Sequence, residues 1–94
     1  MQILYKDTFI IRLQDQWRYL NERSPKAAQR FKTKIIDKIK GISRNPYHCR
    51  KSMCFDDDSI RDLVYDGYTV VFRVNGTQIE VFGLVRYQEY PTDE

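Results

Sequence analysis

Two dipeptides constrain the C-terminal half of this 94-residue chain more than any other feature. Asp66-Gly67 and Asn75-Gly76 are residue pairs that type I′ hairpin turns favour, because both central positions of such a turn have positive φ. They separate three apolar runs between Ile60 and Tyr87. The sequence therefore predicts an antiparallel meander of three strands.

Counting outward from two-residue turns predicts the register and the two faces of this meander. The predicted pairs are Tyr65 with Tyr68, Leu63 with Val70, Val74 with Thr77, Phe72 with Ile79, and Val70 with Val81. One face is apolar enough to form a core: Leu63, Tyr65, Tyr68, Val70, Phe72, Val74, Ile79, Val81 and Val85. The other face is mixed and is where we expect function: Asp62, Val64, Thr69, Val71, Arg73, Gln78, Glu80, Phe82, Leu84 and Arg86.

The N-terminal half predicts one strand and two amphipathic helices. Alternation over residues 2–5 predicts a strand that joins the meander. A first helix is expected from Phe9 to about Glu22, capped by Asp7-Thr8. Ser24-Pro25 predicts the cap and first residue of a second helix, which Asn45-Pro46 ends. The predicted apolar stripes are Ile10, Leu13, Trp17 and Leu20 on the first helix, and Ala28, Phe31, Ile35, Ile39 and Ile42 on the second.

These elements predict an α+β fold in a single domain spanning residues 1–94. The short connection between the helices requires an antiparallel helical hairpin. The hairpin is expected to cover the apolar face of the sheet and to leave the mixed face partly open. Residues 89–94 form a polar tail that we expect to be frayed.

Positive charge is concentrated in one segment of the chain. Residues 25–51 hold nine Lys or Arg side chains against one acid, a net charge of +8, whereas the whole chain carries +3. Such a segment indicates a polyanion or an acidic protein as partner, or a solvated helix face. The side chains that we expect to contact a partner are Arg30, Lys34, Lys38, Arg50 and Lys51.

Several classes of protein are excluded or disfavoured. The chain has no apolar run of about 18 residues and no secretory leader pattern, so a cytoplasmic protein is expected. Cys49 and Cys54 are interpreted as free thiols. With His48 they match no usual zinc spacing, and we expect neither a metal nor a cofactor. The acidic run Asp56-Asp57-Asp58, in the loop from Tyr47 to Ser59, is interpreted as a solvated turn.

Several segments together carry a resemblance to a known family. Ser24-Pro25-x-Ala27-Ala28-x-x-Phe31, Asn45-Pro46 and the meander residues Ile60-Arg61-Asp62-Leu63, Gly67-Tyr68-x-Val70-Val71-Phe72-Arg73-Val74 and Ile79-Glu80-Val81 resemble the RelE/ParE superfamily of type II toxins. The resemblance implies a small toxin with helices on one face of the sheet and a cognate antitoxin as partner. It also implies action either on ribosome-bound mRNA or on DNA gyrase.

The resemblance leaves three functions open, of which the mRNA endonuclease is our main hypothesis and the other two are its alternatives. A ribosome-dependent, metal-independent mRNA endonuclease needs a base, cations around the phosphorane and an acid. The candidates are Arg86, Tyr87, Arg61 and Arg73. A gyrase inhibitor needs only a binding surface. A non-toxic member that retains antitoxin binding is the third hypothesis, because Gln88 and Thr69 stand where nuclease relatives carry histidine and arginine.

Overall fold

The computed structural model describes residues 1–86 and confirms the predicted α+β fold. The elements are β1 (Gln2–Tyr5), α1 (Asp7–Arg23), α2 (Pro25–Gly41), a 3₁₀ helix (Pro46–His48), β2 (Arg50–Lys51), β3 (Ile60–Tyr65), β4 (Tyr68–Asn75) and β5 (Gln78–Arg86). Five strands form one sheet in the order β1-β5-β4-β3-β2. β1 runs parallel to β5, and the other neighbours are antiparallel. None of the helices in residues 1–86 is long and apolar enough to span a bilayer.

The helical hairpin packs on one face of the sheet, as predicted. Ser24 ends α1 and caps α2, because its Oγ accepts the N–H of Ala27 at 3.2 Å and Pro25 occupies the first helical position.

The cap predicted for α1 was wrong: Lys6 is the N-cap residue, and its side chain makes no capping hydrogen bond. α2 ends at Gly41, before the predicted stop at Asn45-Pro46. β2 was not predicted, since its two residues lay in an expected loop.

The core lies between the hairpin and the sheet. Phe9 is fully buried, whereas Ile10 is 37% exposed, so the apolar stripe of α1 begins one residue earlier than predicted. On the second helix the stripe is correct, although Phe31 is only half-buried. The buried cluster comprises Phe9, Leu13, Ile35, Ile39, Ile42, Val70, Phe72, Val74, Ile79, Val81 and Leu84.

The first hairpin of the meander has the predicted register, and the second does not. Asp66 and Gly67 both have positive φ, as a type I′ turn requires. In the second turn Asn75 pairs with Gln78, so Gly76 and Thr77 are the central residues. Phe72 and Val74 therefore face Val81 and Ile79 instead of Ile79 and Thr77. This shift moves each partner by two residues and leaves every side chain up to residue 81 on its predicted face.

A β-bulge in β5 reverses the faces beyond that point. Phe72 pairs with Val81 and Val71 with Gly83, so Phe82 is the extra residue. Leu84 consequently lies opposite Val70 in the core, and Val85, which was predicted there, lies opposite Thr69 on the other face. Glycine at the bulge has a packing reason, because a Cβ on Gly83 would lie 3.2 Å from the Cβ of Val71.

We expect Gly83→Val to lower the free energy of unfolding by about 1–3 kcal/mol, the usual cost of overpacking. The added side chain would collide with Val71, because its new Cβ would lie 3.2 and 3.4 Å from the Cβ and Cγ2 of that residue. Urea unfolding followed by circular dichroism measures the change. Gly41→Ala is the matched control, since a Cβ there meets no atom within 4 Å. Equal effects at the two glycines would contradict the packing explanation for the bulge.

Candidate functional site

Arg73 lies on the mixed face of the sheet, where it was predicted. Its Nη1 lies 3.8 Å from Oε1 of Glu80, the residue that faces it across β4 and β5. The guanidinium carbon lies 5.6 Å from the ring centroid of Phe82. Arg73 is exposed, and it is held in place by an ion pair and an aromatic ring.

Arg86 does not lie on the mixed face, so that part of the prediction was wrong. The bulge places it opposite Tyr68, on the side of the sheet that the helices cover. Its guanidinium carbon lies 5.4 Å from the ring centroid of Tyr19 on α1. An isolated glycine inside a strand pattern indicates a bulge, so Gly83 was the sequence feature that could have predicted this change of face.

Arg61 ties the residue before β2 to the end of the loop that precedes β3. Its Nε donates to the carbonyl of Asp58 at 2.9 Å, and its Nη1 donates to the carbonyl of Cys49 at 3.2 Å. The guanidinium carbon also lies 4.7 Å from the ring centroid of Tyr47. Two of its five N–H donors are therefore bound to the protein's own backbone.

The structure does not bring the described catalytic candidates together. Arg61 and Arg73 belong to opposite faces, because Arg61 is opposite Phe72, the inward neighbour of Arg73. Tyr68, which pairs with Arg86, is five residues from Arg73 on β4. At about 3.3 Å per residue, Arg73 and Tyr68 are roughly 17 Å apart along the strand. Tyr87, the fourth candidate, lies outside the described residues.

Part of the mixed face is covered by the loop between β2 and β3. The ring of Phe55 meets that of Phe82 edge-on at a centroid distance of 5.8 Å. Asp62 is buried on this face, where its Oδ2 accepts the N–H of Met53 at 3.2 Å and lies 3.5 Å from Nη2 of Arg50. The mixed face, which was predicted to be partly open, is therefore covered by this loop near β3.

Two clefts lie instead on the helix side, where α1 meets the ends of β4 and β5. The first cleft has a volume of about 190 Å³ and includes Arg12, Asp15, Gln16, Tyr19, Tyr68 and Arg86. Gln16 Nε2 donates to Tyr68 Oη at 2.9 Å, and Arg12 Nε donates to the carbonyl of Leu84 at 3.2 Å. Burial raises the pKa of Tyr68 above its ordinary value, so its hydroxyl stays protonated at neutral pH.

The second cleft lies on the other side of Tyr68, between the helical hairpin and the β3–β4 turn. Its volume is about 270 Å³, and it includes Leu20, Arg30, Phe31, Lys34, Tyr65 and Asp66. The rings of Phe31 and Tyr68 form its floor, with centroids 4.7 Å apart. Lys38 extends this rim, since its Nζ lies 5.2 Å from the ring centroid of Tyr65.

The five predicted partner contacts fall into two groups. Arg30, Lys34 and Lys38 are exposed on α2 around the second cleft. Arg50 and Lys51 lie on β2 and face carboxylates of the neighbouring segment, Lys51 Nζ being 3.1 Å from Oδ1 of Asp58.

The first cleft was missed by the sequence analysis. Arg12, Gln16, Tyr19 and Arg23 follow one another at intervals of four, three and four residues, which places them along one face of α1. This polar and aromatic stripe lies beside the apolar stripe of α1, and it is the sequence pattern from which the first cleft could have been predicted.

Comparison with known families identifies one match. The family described as "ParE toxin of type II toxin-antitoxin system, parDE" matches residues 3–89. A search of curated proteins found no significant match. The matched range includes both helices, the two clefts and all of the sheet except Gln2.

We expect Arg61→Ala to lower the free energy of unfolding by roughly 1–3 kcal/mol, because hydrogen bonds from a charged donor are lost. Hydrogen exchange should accelerate in residues 47–59, whose two ends Arg61 holds. Urea unfolding and exchange detected by mass spectrometry provide the measurements. The exposed residue Arg44 provides the control as Arg44→Ala, with an expected change within about 0.5 kcal/mol. Unchanged exchange in the loop would contradict the structural role of Arg61.

Proposed function

The chain belongs to the ParE toxin family of type II toxin–antitoxin systems, and we propose that it is a toxin that inhibits DNA gyrase by binding. Membership implies an antitoxin partner. The alternative within the superfamily is the ribosome-dependent cleavage of mRNA. The separation of Arg73 from Arg86, on opposite faces of the sheet, is the observation on which our preference rests.

Metal-independent RNA cleavage requires side chains that converge on one phosphate. A general base must also have a pKa close to the working pH. Arginine is always protonated and supplies only positive charge. Burial raises the pKa of Tyr5 and Tyr68 above the ordinary value, which leaves less of the phenolate form of either residue to act as a base at neutral pH. Among residues 1–86, the arrangement of the predicted candidates favours binding over acid–base chemistry.

Inhibition by binding makes a weaker demand on the structure. It needs a rigid scaffold with exposed anchoring side chains, which the hairpin and the sheet provide. Arg30 of α2 and the tyrosines of the two clefts are residue types that are enriched in protein interfaces. Gyrase acts on chromosomal DNA, so this proposal also places the toxin in the cytoplasm.

Supercoiling of a relaxed plasmid by purified DNA gyrase and ATP tests the proposal. We expect the purified chain to block supercoiling or to trap cleaved plasmid, and the antitoxin of the same module to restore activity. A reporter mRNA on translating ribosomes is incubated with the chain in parallel and should stay intact, as judged by primer extension.

Two results would overturn the gyrase proposal. Normal supercoiling together with new 5′ ends inside the translated frame would establish the endonuclease. Normal supercoiling with intact mRNA, and no growth arrest on expression without the antitoxin, would establish a non-toxic member. Boiled protein serves as the control for additives carried through purification.

A further inference from the structure

The two clefts form one continuous surface, because Tyr68 lines both. Their volumes of about 190 and 270 Å³ are below the roughly 300 Å³ at which small-molecule sites usually begin. The clefts are also open at the rim and divided by a tyrosine ring. Their size and shape suit successive side chains of a partner segment that crosses Tyr68.

The rim of this surface is strongly basic. The cations that line the clefts or lie over their tyrosine rings are Arg12, Arg23, Arg30, Lys34, Lys38 and Arg86. Two carboxylates accompany these six cations, Asp15 and Asp66, so the described surface carries a net charge of +4. Asp15 is already paired, with Oδ1 3.3 Å from Nη1 of Arg18.

Aromatic rings hold several of these cations in place. The guanidinium carbons of Arg23 and Arg86 lie 4.1 and 5.4 Å from the ring centroid of Tyr19. Cation–π contacts of this kind orient a guanidinium without neutralising its charge. Tyr19 is itself 40% exposed. The surface therefore presents oriented positive charge beside accessible aromatic area.

We propose that this surface is the docking site of an acidic, amphipathic segment of the antitoxin. Carboxylates of that segment would meet the cations of the rim, and its apolar side chains would enter the two clefts. Tyr68 Oη accepts the amide of Gln16, so its own hydrogen can be donated to an incoming carboxylate. The inference rests on the antitoxin partner of the proposed function and not on its gyrase target.

A peptide fits these features better than a nucleic acid does. Asp66 places an exposed carboxylate in the second cleft, where it would repel the regularly spaced charges of a phosphate backbone. A peptide can set a neutral or basic side chain opposite this position. The rings of Tyr19 and Tyr65 also have cations over them, which restricts their use as stacking platforms for bases.

Charge reversal tests the proposal. The double variant Arg30→Glu/Lys34→Glu should raise the Kd for the protein encoded beside the toxin gene by about 100-fold, because like charges then meet at the interface. The matched control is Lys32→Glu/Lys40→Glu, which changes the net charge equally on exposed positions of the same helix outside the two clefts. The control should change Kd by less than about threefold. Circular dichroism verifies that both variants fold.

Three outcomes would overturn the docking site. If both double variants raised the Kd equally, the attraction would depend on net charge alone and not on the clefts. If neither variant changed the Kd, the antitoxin would bind elsewhere on the toxin. The third outcome concerns a 20-nucleotide single-stranded RNA or DNA that binds the unmodified chain tightly. If the Arg30→Glu/Lys34→Glu variant alone lost this binding and kept its antitoxin affinity, the surface would be assigned to nucleic acid. Gyrase supercoiling is measured separately with the unmodified chain, so failure of the gyrase proposal is distinguishable from failure of the docking site.

Discussion

The close approach of Val71 to the backbone of Gly83 determines which side chains reach each face of the sheet. A Cβ built on residue 83 would lie 3.2 Å from the Cβ of Val71, so glycine fits at this position with less crowding than any other residue. The bulge at this point inserts Phe82 and reverses the alternation of the last three residues of β5. Leu84 thereby becomes part of the core. Arg86 contacts Tyr19 of α1 and does not lie on the same face as Arg73. The same local packing therefore builds the first cleft and separates the arginines that RNA cleavage would need on one face.

Local patterns in the sequence predicted the elements, because each depends on neighbours a few residues away. Asp66-Gly67 specified its turn through positive φ at both positions. Ser24-Pro25 specified the boundary between the helices through one hydrogen bond and one missing N–H. Gly76 has the positive φ expected of a turn, but it occupies the first central position and not the second. A turn pattern therefore located the second hairpin without defining its register.

The candidate site depended on contacts between distant residues, which periodicity does not predict. Gln16 and Tyr68 are 52 positions apart, and their hydrogen bond joins α1 to β4 between the two clefts. The exposed cations of α2 were identified correctly because a helix places residues four apart on one ridge. Arg86 was assigned to the wrong face because alternation was extended through Gly83. Nor does periodicity predict that the loop between β2 and β3 covers Asp62, whose Oδ2 accepts the N–H of Met53.

The order of strands in the sheet links folding to protein synthesis. β1 is the first strand in the chain, yet it pairs with β5, the last, with Ile3 aligned to Ile79. A ribosome adds about 5–20 residues per second, so several seconds pass between the synthesis of the two partners. The two helices are adjacent in the sequence and contact each other locally, so the hairpin can form early, whereas β1 must wait as an unpaired strand. A growing chain therefore lacks a complete sheet until its last strand emerges, and any activity that requires this sheet arises only then.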